Sequence, residues 1–316
     1  MKKFSSIGDV EDPEALVNLA LEQKFNPYKW DQLGKNKTLG LLFFNPSLRT
    51  RMSTQKAAFN LGMNVMVMNL NSDGWTLEFE DGSIMNSTSQ EHIREAAAVV
   101  SQYCDIIGVR TFPTFKSRED DYAEKVLNGF IEHASVPVIS LESATRHPLQ
   151  SLADMMTIKE HKAKKKPKVV LSWVPHPKAL PQAVANSFVE WAKEAEFDLV
   201  IANPQGFELE ASITKGVQVV CDQEEAFKDA DFIYAKNWSS FDDYGKIGEN
   251  LDDWMITPER MALTNQGKFM HCLPVRRNVV VHDKVIDSEN SLVIKQAENR
   301  VYAAQAVLLK MLKDEN

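Results

Sequence analysis

The 316-residue chain is expected to be an α/β protein of two domains, each a parallel sheet flanked by helices. Three observations lead there. Short apolar runs bounded by turn residues recur along the sequence, as in strands buried on both faces. Stretches of helix-forming composition separate most of them, the rhythm of strand, crossover helix and parallel strand. The length suits two domains of about 150 residues rather than one.

The first strand is TLGLLFF (38 to 44), a continuous apolar run ending at the Asn45-Pro46 turn. LRTRMSTQKAAFNL follows as a helix that stops at Gly62, and NVMVMNL (64 to 70) reads as the next strand. EHIREAAAVVSQY is a helix opened by a Thr88-x-x-Glu91 capping box. DIIGVR (105 to 110) and VPVIS (136 to 140) are strands on either side of the helix DDYAEKVLNGFIEH. PLQSLADMMTIKEHK is helical and leads into KAKKKPK (162 to 168), a basic run read as a solvated helix end and turn. Strands KVVLSW (168 to 173), FDLVIA (197 to 202), VQVV (217 to 220) and DFIYA (231 to 235) follow, with the helix PQAVANSFVEWAKEA after the first of them. AENRVYAAQAVLLKMLK closes the chain as a helix. The domain change is expected near 145 to 150, because one helix can bridge two such domains. No internal repeat or low-complexity tract is present.

Composition narrows the function. Hydrophobic residues make up 44% and charged residues 25%, as in ordinary globular proteins, and no apolar run reaches the roughly 18 residues of a membrane helix. MKKFSSIGDVEDPEAL turns acidic after two lysines and has neither an apolar core nor a cleavage site, so it reads as mature cytoplasmic protein. Cys104, Cys221 and Cys272 are widely spaced, which suits a reducing compartment and argues against a structural zinc site. A net charge of −8 argues against nonspecific nucleic-acid binding. Neither nucleic acid nor a membrane is therefore an expected partner.

Chemistry concentrates where strands end. SLRTR places Ser47, Arg49, Thr50 and Arg51 at the start of a helix, where free backbone N–H groups and the helix dipole favour an anion. Two guanidiniums and two hydroxyls add donors suited to phosphate oxygens. GxxxxGK[ST] and GxGxxG are both absent, so the phosphate should belong to a small molecule rather than a nucleotide held in one of the common ways. Arg110 lies at the tip of DIIGVR, His147 and Gln150 lie just past VPVIS, and His271, Cys272, Arg276 and Arg277 follow a short apolar run in FMHCLPVRR. Each is weak by itself; their common placement at strand ends is what counts.

SLRTR, HPLQ and HCLP, in that order and at these separations, resemble the signature set of the aspartate and ornithine carbamoyltransferases over essentially the whole chain. The resemblance implies that Ser47, Arg49, Thr50 and Arg51 hold the phosphate of carbamoyl phosphate. It implies further that Arg110, His147 and Thr50 polarise the carbamoyl oxygen. Gln150 with the backbone of Cys272 and Leu273 would hold the carbamoyl amide, and Arg300 would reach the same ligand. Attack of an amine on the carbamoyl carbon builds negative charge on its oxygen, which preformed cationic donors stabilise. No metal or other cofactor is implied.

The acceptor loop departs from the ornithine enzymes. Where these carry Asp-x-x-x-Ser-Met-Gly, the chain reads DFIYAKNW, with Asp231 followed by Tyr234, Ala235 and Lys236. A lysine there repels a free α-ammonium and suits an α-carboxylate beside an acylated nitrogen. WVPHPKALPQAVANSF (173 to 188), whose prolines would stiffen an exposed crossing, and DGWTLEFEDG around Trp75 resemble the acylornithine branch, the N-acetylornithine and N-succinylornithine carbamoyltransferases of bacterial arginine synthesis. That likeness implies a knotted proline-rich loop in the second domain and a homotrimer in which Trp75 reaches a neighbouring subunit's site. Glu142, Asn186 and Lys236 match positions that contact the acylated amino acid, with Cys272 and Leu273 also on the acceptor side. Gln90 stands where acetyl-specific relatives carry Glu and succinyl-specific ones Pro, and Val280 where acetyl-specific ones carry Lys. A neutral Gln90, with Lys236 and Arg276 able to pair a second carboxylate, favours a succinyl group, with acetyl as the alternative. A carbamoyl phosphate sensor without turnover is the alternative from another class. The expected division is 1–147 for carbamoyl phosphate, with the 297–316 helix packing back on it, and 148–296 for the acylated amino acid.

Overall fold

The computed structural model describes residues 1–314. The chain forms two compact units: residues 1–114, 118–149 and the described residues from 300 onward in the first, 115–117 and 150–299 in the second. The last two positions of the expected 297–316 helix lie outside the described residues; that helix runs Val293–Asp314.

The first unit contains strands β1 (Lys3–Phe4), β2 (Thr38–Phe43), β3 (Asn64–Asn69), β4 (Leu77–Glu78), β5 (Glu91–His92), β6 (Ile106–Arg110) and β7 (Val138–Glu142). Five of these form a parallel sheet in the order β1-β7-β6-β2-β3, and β4 with β5 make a small separate ribbon. The interior strands are apolar on both faces, because helices cover both. On one face Leu42, Ile107, Val109 and Val138 pack with Ile93 and Ala97 of the Ile93–Tyr103 helix and with Leu127 and Phe130 of the Lys125–His133 helix. The chain goes from β2 outward to β3, then returns to β6 on the other side of β2. That reversal makes the carboxyl ends of β2 and β6 the topological switch point, where open α/β sheets bind ligands.

The second unit carries β8 (Lys168–Trp173), β9 (Asp198–Ala202), β10 (Gln218–Val220), β11 (Phe232–Lys236) and β12 (Lys268–Met270). They form a parallel sheet in the order β10-β9-β8-β11-β12, with its own switch point at the ends of β8 and β11. There Trp173 and Lys236 are register partners.

Several expectations change. Thr88 and Glu91 form no capping box: the helix begins at Ile93, and the His92 ring accepts from the Arg94 amide, while Glu91 lies in β5. The expected 120–133 helix is two, Arg118–Tyr122 and Lys125–His133, separated by Glu124 at φ 47°. β7 lies two residues later than VPVIS and runs on to Glu142, the register partner of Arg110, from which it also accepts a hydrogen bond. The proline-rich crossing is mostly not exposed, with Val174, Pro175 and Pro181 buried. Lys164 of the basic run pairs with Asp231 at 2.8 Å. The Pro13–Phe25 helix, capped by Asp12 onto the Ala15 amide, has a full start signal that the strand-by-strand reading passes over.

Candidate active site

In the first unit the Arg49–Asn60 helix starts directly after the β2 turn. Leu48 stands at its N-cap in helical conformation, and no side chain caps the first turn. Ser47, Arg49 and Arg51 are half-buried there and Thr50 is buried. Arg51 is fixed by donation to the Asn69 carboxamide at the end of β3 and by stacking 4.9 Å over the Phe43 ring.

Thr50 is the hub of the buried cluster. Its Oγ1 accepts from Arg300 Nη2 at 2.6 Å and from Arg110 Nη1 at 3.4 Å. Arg110 also donates to Glu142 Oε2 at 2.5 Å and lies 4.6 Å over the Phe112 ring. Register explains the pairing, since Arg110 and Glu142 are Cα partners at the ends of β6 and β7, where a bulge follows Val109. His147 Nε2 is 3.5 Å from Arg300 Nη2 and 3.6 Å from Glu142 Oε2. Thr50, Arg110, Glu142, His147 and Arg300 are each at least nine-tenths buried. Two guanidiniums against one carboxylate leave the cluster cationic, so an anion is the complementary ligand.

In the second unit Gln150 is fully buried on the Pro148–His161 helix and donates to Asp154 Oδ1 at 2.8 Å. The stretch after β12 is held by its own histidine: the Leu273 amide donates to His271 Nδ1 at 2.9 Å, and Leu273 sits at φ 56°. That left-handed backbone turns Cys272 and Leu273 out of line with β12. With its N–H taken up by the imidazole, Leu273 has its backbone carbonyl as the group it can offer to a carbamoyl NH2.

Lys236 is buried at the end of β11 and Asn186 is buried in the Ala183–Glu194 helix. Arg276 is exposed and donates through Nε to His176 Nε2 at 3.3 Å. His176 Nδ1 lies 3.0 Å from the Lys178 carbonyl oxygen and 3.1 Å from the Lys178 backbone nitrogen, so the ring is held from both sides. Burial pushes the His176 pKa down, and Lys236, Arg276 and Lys178 add to the effect against the Lys178 backbone contact. Lys236, His176 and Arg276 thus form a second cation-rich group, suited to carboxylates. His176 is not singled out from the sequence; its only signal is its place in the proline-rich loop.

Trp75 and Gln90 lie together beside the β4/β5 ribbon. Trp75 is 53% exposed and donates to Glu91 Oε2 at 2.8 Å, and the Gln90 amide donates to the Thr76 carbonyl. Among the described residues no hydrogen bond joins either to the cluster around Thr50. Val280 is buried. Among the described residues no group of three or more His, Cys, Asp or Glu could hold a metal ion, and no helix is long and apolar enough to cross a membrane.

Comparison with known proteins agrees with this arrangement. Residues 2–160 match the aspartate/ornithine carbamoyltransferase, carbamoyl-P binding domain, and residues 181–311 match the Asp/Orn binding domain of the same family. The chain is 50% identical over 316 residues to N-succinylornithine carbamoyltransferase of Bacteroides fragilis (strain 638R), covering 99% of both chains. Identity to N-acetylornithine carbamoyltransferase of Xanthomonas axonopodis pv. citri (strain 306) is 37% over 305 residues, 89% of both chains. A crystal structure of an N-acetyl-L-ornithine transcarbamylase mutant complexed with carbamyl phosphate and N-succinyl-L-norvaline superposes with a TM-score of 0.94 at 36% identity, covering 98% of this chain and 100% of that one. Sheet order, strand-end chemistry and full-length similarity converge: the chain belongs to the aspartate/ornithine carbamoyltransferase family.

Proposed function

We propose that the protein transfers the carbamoyl group of carbamoyl phosphate to the δ-amine of N2-succinyl-L-ornithine, giving N-succinyl-L-citrulline and phosphate in arginine biosynthesis. The observation that carries the reaction is the buried cluster of Arg110, His147 and Arg300 around Thr50, a cationic donor set beside an uncapped helix start. Residues 1–147, with the C-terminal helix from 297, take carbamoyl phosphate; residues 148–296 take the acylated amino acid.

Ser47, Arg49, Thr50 and Arg51 hold the phosphate, with Arg300 from the C-terminal helix and Trp75 from a neighbouring subunit. The neutral δ-amine attacks the carbamoyl carbon, the carbonyl electrons move onto oxygen, and Arg110, His147 and Thr50 stabilise that charge. The C=O re-forms as the C–O bond to phosphate breaks; the leaving oxygen keeps that electron pair, and the departing phosphate takes the proton given up by the attacking nitrogen. Gln150 with the Cys272 and Leu273 backbone orients the carbamoyl NH2. Glu142 and Asn186 contact the acylated amino acid, while Lys236, with His176 and Arg276, receives its carboxylates.

Succinyl is preferred over acetyl on two grounds. The neutral Gln90 brings no acid to repel a second carboxylate and Val280 departs from the lysine of acetyl-specific relatives, and the identity of 50% to a succinylornithine enzyme exceeds that of 37% to an acetylornithine one. We further assign a homotrimer: the Arg49–Asn60 helix and edge strand β3 expose Met52, Phe59, Met66 and Met68, apolar surface that suits an interface between copies. A knotted second domain is supported by the bonds tying the proline-rich crossing to the segment after β11, Ser239 N to Leu180 O at 3.0 Å and Gln182 Nε2 to Ser239 O at 3.1 Å. The cytoplasm is the proposed location.

Steady-state carbamoylation of N-succinylornithine, N-acetylornithine and ornithine, side by side at saturating carbamoyl phosphate, tests the assignment. Preference for the succinyl compound is expected. Preference for the acetyl compound overturns the reading of Gln90 and Val280, activity on ornithine alone overturns that of Lys236, and binding without product from any acceptor makes the protein a sensor.

A further inference from the structure

Asp154 is a carboxylate with no exposed surface, sitting one helical turn after Gln150. An isolated buried carboxylate is costly, so its contacts need a reason. Its Oδ1 accepts from Gln150 Nε2 at 2.8 Å and from Gln296 Nε2 at 2.7 Å. Both glutamines are themselves fully buried. The far end of Gln296 fixes its orientation independently: Oε1 accepts from the His271 backbone N–H at 2.9 Å, which only an oxygen can do. The His271 ring in turn accepts from the Leu273 amide. The fully buried Tyr234 hydroxyl faces Asp154 and Cys272 and stays protonated, its pKa raised well above the ordinary tyrosine value by burial first and then by those two groups.

A carboxylate oxygen only accepts, so each glutamine must turn its NH2 toward it and its carbonyl oxygen away. We propose that Asp154 is a positioning residue for carbamoyl transfer: it holds Gln150 with Oε1 presented as an acceptor for the NH2 of the carbamoyl group, and through Gln296 it sets the His271–Leu273 backbone. The proposal rests on the assignment of Gln150 to the carbamoyl amide. Its chemical consequence is selectivity. Carbamoyl phosphate and acetyl phosphate share a shape and a phosphate, and differ in NH2 against CH3. A Gln150 free to rotate would offer NH2 as readily as oxygen and lose the means to tell them apart.

Calorimetric binding of carbamoyl phosphate, acetyl phosphate and inorganic phosphate to the whole protein tests this. Asp154→Ala is expected to reduce the preference for carbamoyl over acetyl phosphate by about tenfold, the loss typical of one amide hydrogen bond to a buried partner, while inorganic phosphate binds as before. Gln150→Leu should lose the same preference, and the double variant should lose no more. Asp154→Asn, which keeps one acceptor oxygen, should fall between. If Gln150→Leu loses the preference and a folded Asp154→Ala keeps it, or weakens all three ligands alike, the role of Asp154 is wrong. If Gln150→Leu itself keeps the preference, the assignment of Gln150 fails, and this proposal with it.

Should Asp154→Ala not fold, a swap decides. Gln150→Glu alone sets two carboxylates against each other and should weaken carbamoyl phosphate; adding Asp154→Asn supplies an NH2 to the new carboxylate and should restore the affinity. No recovery overturns the proposal.

Discussion

The oxyanion role proposed for Arg110 can be separated from its part in the fold, where it pairs with Glu142. Its guanidinium and the Glu142 carboxylate are each less than a tenth exposed and 2.5 Å apart. Arg110→Ala leaves that carboxylate buried without its main partner, a change that costs about 3–5 kcal/mol. His147, 3.6 Å from the same oxygen, can offset part of this when protonated, so the lower end is expected. Loss of one oxyanion donor should separately lower kcat by about 10²- to 10³-fold. Phosphate affinity should change little, because Arg49, Arg51 and Arg300 remain. Replacing both members, as Arg110→Met with Glu142→Leu, should recover most of the lost stability, since apolar substitution of a buried pair is often nearly neutral. It should recover none of the kcat. Urea denaturation beside steady-state kinetics reads both quantities. Turnover that returns with stability in the double variant would show that Arg110 merely supports the fold, and equal losses of kcat and phosphate affinity would move it into the phosphate clamp.

Lys236→Met should raise the KM for the acylated acceptor by about 10- to 100-fold, the value of a charge-assisted hydrogen bond, and leave carbamoyl phosphate binding intact; an unchanged KM removes Lys236 from the acceptor site. His176 titrates below the ordinary histidine value of 6.5 because of burial and its cationic neighbours. The folded, unliganded protein therefore holds fewer protons at this position than the unfolded chain just below pH 6.5, so its contribution to stability is complete above that value and declines as pH falls through the lowered pKa. An anionic acceptor should reverse the shift, so calorimetry near neutral pH in buffers of different ionisation enthalpy should detect proton uptake on binding, absent in His176→Leu. Gly62 follows the Arg49–Asn60 helix at φ 80°, and a Cβ there would stand 2.0 Å from the Asp31 carbonyl oxygen. Gly62→Ala should cost at least about 2 kcal/mol in urea denaturation, left-handed strain and backbone displacement together; a loss of a few tenths would mean the Asp31 turn moves freely.

What the sequence discloses follows from how local each cause is. Strands such as Thr38–Phe43 are legible because burial on both faces leaves a continuous apolar run. β1 is two residues long and its pairing comes from a neighbour distant in the chain, so no local pattern marks it, while the three-residue β12 shows only as the short apolar run before His271. The capping expectation at Thr88 fails because Glu91 is drawn into the ribbon beside Trp75, a tertiary contact that overrides a good local motif. SLRTR, HPLQ and HCLP are legible as motifs, yet their wiring is not. Arg110 with Glu142 depends on sheet register, and Gln150 with Asp154 depends on Gln296, 142 residues away from Asp154. His176 gains its meaning from Arg276, which is 100 residues further along.

The hydroxyl of Thr50 has two lone pairs and one hydrogen. Arg300 and Arg110 both point N–H groups at its oxygen, and a guanidinium can never take the opposite role. The hydroxyl is thereby polarised into a donor, its hydrogen left for whatever oxygen arrives in front of it. A guanidinium has no lone pair to offer as an acceptor, so this direction is permanent, unlike that of a histidine. It also ties three distant positions into one unit of inheritance: serine can replace Thr50 and preserve the sense of the bond, while valine, of nearly the same shape, would set two cations against a methyl group.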